Sequence, residues 1–217
     1  MPYKLASYLL GRTPIGHTLK THSQQVVAIH PMPSDQIKHQ LDAAIRRSPL
    51  LARPGFLIRR LHQIHCGLFL DETQGHDVTP VQYSLLTTLS MLGETDQITL
   101  AHEIGLERTS VAEVIARLEA RGLVLRKQSN QDRRVKLVRL SRKGVYLLKK
   151  LEDKVQRAHE RTIEMIPEDQ RELFVLQLIR LVEANNDVGS APFKLAVPKE
   201  RHTESGVRAG KAERAEP

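Results

Sequence analysis

Between residues 98 and 141 the chain passes from a helical apolar period to the period of strands, and that succession limits the folds open to it. Leu100, Ala101 and Ile104 mark a short helix over about 99–105, and Gly105 marks a turn. Val111, Val114, Ile115 and Leu118 then recur at i, i+3, i+4 and i+7, the spacing that gathers apolar side chains on one helical face. Gly122 follows where a helix end favours a left-handed residue. Residues 123–127 and 135–140 alternate with period two, as half-buried strands do, around a polar, arginine-bearing tip at 128–134. Helix, turn, helix and hairpin in this order predict a winged helix-turn-helix, a module whose second helix enters the DNA major groove. The expected fold class is mainly α with a small β wing.

Charge follows the same boundaries. From Glu107 to Lys143 there are eleven Lys or Arg against four acids, so this stretch carries nearly all of the chain's net charge of +8. A cationic excess gathered in about a sixth of the chain points to a polyanionic partner rather than to general solubility.

The remaining composition excludes several classes of function. One cysteine, Cys66, allows no disulfide within the chain and no zinc cluster, so a reducing, cytoplasmic setting is expected. No apolar run is long enough to span a membrane, and the patch at 5–10 lacks the basic region and long apolar core of a signal peptide. No nucleophile–base constellation is visible, so no catalysis and no cofactor are expected. His62 and His65 share a helical face, but no third metal ligand is evident.

Residues 1–33 lack periodicity and are expected to form a flexible arm, with Met32 an alternative start. Ser34 is placed to cap a short helix to about Arg47, and Pro49 and Pro54 interrupt the chain. A stronger helix over 55–71 has an apolar face (Leu57, Ile58, Leu61, Ile64, Leu68) wide enough to be buried on two sides. Thr79 caps a helix begun by Pro80 and stopped by Gly93, and 94–97 reads as a turn. Glu107 or Thr109 caps the second helix of the motif, and Ser141 caps a long helix that Pro167 ends. Leu173, Leu176, Ile179 and Val182 stripe a last helix over 168–184, and 187–217 has the polar, charged composition of a disordered tail. The expected division is an arm over 1–33, a domain over 34–186 and a tail over 187–217. Within the domain, dimerisation helices lie at about 34–71 and 142–186, and the winged helix-turn-helix at about 80–141. The terminal helices are too apolar for a monomer, and a helical homodimer is the simplest way to bury them.

From about Pro54 to Asn186 the chain resembles the MarR family of bacterial transcription regulators. The resemblance rests on LAHEIGLERTSVAEVIARLEARGLVLR, on Asp132-Arg133-Arg134, and on LVRLSRKG at 137–144, with the family's wing pattern present as Asp132, Arg134, Leu140 and Ser141. It implies a two-fold symmetric dimer on palindromic double-stranded DNA, acting as a repressor that a small molecule releases from a cleft between the dimerisation helices and the DNA-binding lobe. RPGFLIRRLHQI at 53–64 also looks like members that control aromatic-acid breakdown, including repressors of nicotinate degradation. The implied effector is therefore a small aromatic carboxylate, with a hydroxylated nicotinate among the candidates.

On that footing Arg108, Thr109, Ser110, Glu113 and Arg117 are the candidate DNA contacts of the recognition helix. Arginine can pair with guanine O6 and N7, and Glu113 can accept from a cytosine amino group or pair with Arg117 four residues on. Thr109 and Ser110 are placed to hold phosphates. Arg134, with Arg133, would enter a narrow minor groove, and Asp132 would hold a wing arginine by a bidentate pair. Arg59, Arg60, His62, Gln63 and Tyr83 are the candidate effector contacts, a guanidinium for the carboxylate and an apolar slot for the ring. Two alternatives stand beside this reading: an architectural DNA-binding protein without an effector, and a thiol sensor acting through Cys66.

Overall fold

The computed structural model describes residues 33–195. The expected N-terminal arm, but for Pro33, lies outside the described residues, and Met32 with it. The first helix, α1 (Ser34–Arg47), starts on Pro33 without a side-chain cap, so Ser34 is its first residue rather than its expected cap. A single 3-10 turn, Pro49–Ala52, leads into α2 (Pro54–Glu72).

The compact part of the molecule begins at α3 (Pro80–Leu92). Thr79 and Gln82 form a reciprocal capping box there, each at 3.3 Å, with Pro80 in the first turn where no N–H is needed. Thr95–Asp96 form a two-residue strand, β1, where a turn is expected. Asp96 then caps α4 (Gln97–Ile104) by accepting from the N–H groups of Ile98 and Thr99 at 2.8 and 3.0 Å. The recognition helix, α5 (Arg108–Ala120), starts at Glu107, but neither Glu107 nor Thr109 supplies a side-chain cap. The hairpin β2 (Val124–Gln128) and β3 (Lys136–Leu140) adds β1 on its far side, giving a sheet of order β1-β3-β2, antiparallel throughout.

Leu85, Leu86 and Leu89 of α3, Leu100 and Ala101 of α4, and Val111, Ile115 and Leu118 of α5 are buried together with Leu123, Val124 and Val138. Of the helices around this core, α4 and α5 each close with a left-handed glycine. Gly105 and Gly122 have φ of 62° and 70°, and the N–H groups of Leu106 and Leu123 reach back to the carbonyls of Ala101 and Leu118 at 3.0 and 2.9 Å.

The long helix α6 (Arg142–Ile163) joins the lobe to the rest. Ser141 caps it, accepting from Gly144 N–H at 3.0 Å while donating its hydroxyl to Gly122 O at 2.7 Å. Farther along, Leu151, Val155 and Ala158 of α6 bury Phe69 of α2 and Val78. Arg157 and Arg161 flank that seam, pairing with Glu72 at 3.0 and 2.8 Å, and Arg161 also pairs with Asp71 at 2.6 Å.

Outside the seam, α2 is open. The expectation that its wide apolar face is buried on two sides is not met within one chain: Leu57, Ile58, Ile64 and Leu70 are all exposed, and only Phe69 is buried. The last helix, α7 (Glu168–Ala184), has no buried residue, and Leu173, Leu176, Leu178, Ile179, Leu181 and Val182 lie bare. The chain does not dissolve into a tail at 187. It makes a 3-10 turn, Asn186–Val188, and residues to Leu195 return to α4, because Asn186 and the end of α4 supply hydrogen-bond partners that composition does not reveal. Residues 196–217 lie outside the described residues.

Gly144 is buried in the first turn of α6, and a Cβ there would collide with the Leu123 carbonyl and come within 3.2 Å of Leu140 Cδ2. Backbone cannot yield as a flexible side chain can, so Gly144→Ala is expected to lower stability by about 1–3 kcal/mol. A reduced urea midpoint at unchanged m-value is the measurement that checks it.

Candidate nucleic-acid interface

With Val111, Ile115 and Leu118 turned into the core, the opposite face of α5 is left to solvent. Arg108, Thr109 and Ser110 are exposed in its first turn, one beside the next. Glu113 and Arg117 follow on the exposed side and pair with each other at 3.7 Å. Of the two roles open to Glu113, the structure shows the local pair.

The cationic stretch is far less uniform than its sequence. Arg121 is spent inside the protein: its guanidinium donates to the carbonyls of Asp77 and His76, the latter at 3.1 Å, and so ties the end of α5 to the loop before α3. Arg126 pairs with Glu119. Glu94 lies 3.0 Å from Lys127 and 4.0 Å from Arg139, covering one cation on each strand of the hairpin. Lys143 donates to the Arg121 carbonyl at 2.9 Å. Arg108 at the start of α5 and Arg133 and Arg134 at the hairpin tip are exposed and, among the described residues, have no acidic partner. Lys136 beside the tip and Arg142 at the start of α6 are likewise exposed without an ion pair among the described residues, so the unpaired charge gathers at the helix start and the wing tip and extends to the start of α6.

Asp132 does not hold a wing arginine by its guanidinium. Its carboxylate accepts from the backbone N–H of Arg134 at 2.9 Å, and Ser129 Oγ accepts from the N–H groups of Gln131 and Asp132 at 3.2 and 3.4 Å. A short aspartate bonding its own backbone two residues on is the Asx turn. It shapes the tip and leaves both arginine side chains free.

The candidate effector residues divide into two groups. Arg60 donates to Gln63 at 3.3 Å, Arg59 lies over the Phe56 ring at 5.4 Å, and His62 Nε2 is 3.6 Å from Cys66 Sγ, all on the open half of α2. Tyr83 is half-buried, its ring edge-on to Phe69 at 5.9 Å. At 1.5 Å rise per residue, the nine residues from Arg60 to Phe69 span about 13 Å of helix. Within one chain, therefore, Tyr83 and Arg60 occupy separate neighbourhoods. Burial pushes the Tyr83 phenol up, so it stays neutral and able to donate.

A feature without local signal in the sequence lies in the α2–α6 seam. His65 stacks on His159 with ring centroids 4.9 Å apart, and His65 Nδ1 is 2.8 Å from Thr162 Oγ1. The two residues are 94 positions apart, so no periodicity could announce the pair.

The geometry defines a DNA-binding winged helix-turn-helix carried on a helical pair, and comparison with known proteins agrees. The model of the MarR family matches residues 78–136. The structure is similar to the PcaV transcriptional regulator of Streptomyces coelicolor, solved with its natural ligand, at 31% identity and a TM-score of 0.59, over 62% of this chain and 95% of that one. It is similar to the transcriptional repressor CouR bound to a 23-mer DNA duplex, at 26% identity and a TM-score of 0.59, over 62% and 96%. In sequence the chain is 23% identical to the HTH-type transcriptional repressor NicR of Pseudomonas putida, over 62% of this chain and 85% of that protein. The chain belongs to the MarR family, whose members are transcriptional regulators and not enzymes. Among the described residues no helix is long and apolar enough to cross a membrane.

Burial in the seam lowers the pKa of both His65 and His159; a charge on His62 opposes protonation of His65, and one on His65 opposes protonation of His159. A histidine depressed on folding binds its proton more readily when unfolded. Its stabilising effect is therefore whole above the unfolded value near 6.5 and lost as pH falls below it. Stability is expected to drop between about pH 7.5 and pH 5.5, and His159→Gln to flatten that drop; urea midpoints of both proteins at the two pH values test this.

Proposed function

We propose that this chain is a repressor of transcription that grips a palindromic operator as a homodimer in the cytoplasm and is released by a small aromatic carboxylate. The observation that carries the DNA half of the reading is the distribution of unneutralised cations. Glutamates and backbone carbonyls occupy Arg117, Arg121, Arg126, Lys127 and Arg139, while among the described residues Arg108 at the helix start, Arg133 and Arg134 at the wing tip with Lys136 beside it, and Arg142 at the start of α6 have no acidic partner. A helix N-terminus with a free arginine suits the major groove, and an arginine-tipped hairpin suits a narrow minor groove. Thr109 and Ser110 sit where hydroxyls and the first-turn N–H groups reach phosphate. Similarity to a repressor solved on a duplex supports the same partner.

The homodimer is supported by bare apolar surface. The stripes of α2 and α7 expose more large aliphatic side chains than a monomer keeps in water, and a second copy offers the same stripes in return. Paired recognition helices would have to stand about one helical turn, roughly 34 Å, apart. An effector wedged between the helical pair and the lobe would favour another spacing, and its effect cannot exceed its differential affinity for the two. Arg60, already oriented by Gln63, is the candidate anchor for its carboxylate, with Arg59 and His62 beside it. Tyr83 could join the same site only through rearrangement or a second chain. The aromatic class rests on the likeness of 53–64 to regulators of aromatic-acid breakdown, with a hydroxylated nicotinate as the first compound to try; similarity to a regulator solved with its natural ligand supports a small-molecule effector of some kind.

The direct test is a mobility shift on the protein's own upstream DNA, challenged with a panel of hydroxybenzoates, nicotinates and cinnamates; no retardation at low salt would end the reading. Arg134→Ala is expected to weaken binding on the order of tenfold and to lower the salt slope by about 1, measured by titration at several salt concentrations. Arg60→Ala should leave operator affinity within about twofold while blunting effector release, since the side chain touches no part of the reading lobe. Normal release from that variant would make Arg60 structural.

A further inference from the structure

Composition marks the stretch after α7 as tail, yet residues 186–195 form a built contact with the turn of the helix-turn-helix. The Asn186 side chain takes both backbone groups of Phe193: Nδ2 donates to its carbonyl at 2.8 Å, and Oδ1 accepts from its N–H at 2.8 Å. That pair of bonds closes a loop. The next residue, Lys194, donates its N–H to the carbonyl of His102 at 2.9 Å. His102 lies in the last turn of α4, where carbonyls lack helical partners. Gly105 N–H also reaches that carbonyl, at 3.4 Å, and Lys194 adds a second donor to it. At the turn itself, a Cβ on Gly105 would lie 3.8 Å from Phe193 Cβ and 3.9 Å from the Ala191 carbonyl, so the strap passes within one side-chain atom's reach of the glycine that redirects the chain into α5.

We propose that Asn186 and Phe193 are positioning residues for DNA reading, strapping the α4–α5 turn to the end of α7. The proposal rests on the DNA-binding reading above. Arg108, Thr109 and Ser110 begin three residues after Gly105, so whatever fixes that turn fixes where the recognition helix starts. The other end of the strap is continuous with α7, whose apolar stripe is not buried by any of the described residues. A shift of α7 against a second copy is passed to the turn through the nine residues that follow Ala184, up to Phe193, instead of through the whole length of α6. The linkage is a short covalent path pinned at both ends, which is a physical element that two sites can bias.

The test uses the full-length protein with Asn186→Ala, Phe193→Ala and, as a control on an exposed neighbour, Val188→Ala. Amide hydrogen exchange is read at Gly105, Leu106 and Lys194, and affinity for the protein's own upstream DNA is compared with a scrambled duplex at several salt concentrations. The expected result is exchange faster by about tenfold at those amides in the first two variants, since exchange rates report local opening. The preference for upstream over scrambled DNA should fall severalfold with an unchanged salt slope, because no cation has been removed. Val188→Ala should match the wild type. A merely structural role would weaken both duplexes alike and leave the preference intact, and that outcome overturns the proposal. So does unchanged exchange in both variants. A wild type that binds neither duplex fails the function itself, which is distinct from a wild type that binds and variants that match it.

Discussion

Burial of one face of α5 is the constraint on which the rest depends. Val111, Ile115 and Leu118 are fully buried, each worth about 1.5–3 kcal/mol of transfer free energy, so the helix cannot rotate about its axis without exposing all three. Its exposed residues are exposed because the others are held. Two glycines in the left-handed region let the chain enter and leave that helix without strain, and Ser141 knits its end to the start of α6 through one hydroxyl that both donates and accepts. The orientation of Arg108, Thr109 and Ser110 toward solvent follows from packing several residues away.

The electrostatics show how a charged surface is edited. Eleven cations in 37 residues would make a broad adhesive patch if all were free. Carboxylates of Glu94, Glu113 and Glu119 and the carbonyls around Asp77 engage most of those on the body of the lobe. Exposed pairs of this kind add little stability, commonly under about 1 kcal/mol each. Their larger consequence is spatial, since counterion release and phosphate attraction then act mainly at the two ends that project. Asp132 belongs to the same design in another way: it neutralises no guanidinium, but its hold on the Arg134 N–H sets the shape of the tip.

Two halves of the molecule differ in how complete they are. The reading lobe has a closed core, while α2 and α7 leave their aliphatic stripes bare. The seam between α2 and α6 joins these halves, with Phe69 clamped by Leu151, Val155 and Ala158 and flanked by the Glu72–Arg157–Arg161 pairs. The stacked His65 and His159 sit in this seam, and their lowered pKa values place a pH-sensitive contact at the junction.

The sequence by itself determined the elements whose causes are local. Thr79-Pro80, Gly105, Gly122 and Ser141 stop or start helices through bonds within a few residues, and the 3.6- and 2-residue periods of 98–141 follow from what one face of each element must bury. Those signals are enough to name the winged helix-turn-helix and to expect Arg108 and the wing arginines on its outside. Only the tertiary structure decided which cations stay free, since Glu94 meets Lys127 and Arg139 across a sheet edge and Arg121 meets the loop before α3 from 44 residues away. It also separated Tyr83 from Arg60, paired His65 with His159 and folded 187–195 back on α4. Each of these joins residues far apart in the chain, and such contacts leave no period, because their geometry is set by how whole helices pack and not by the order of neighbours along one of them.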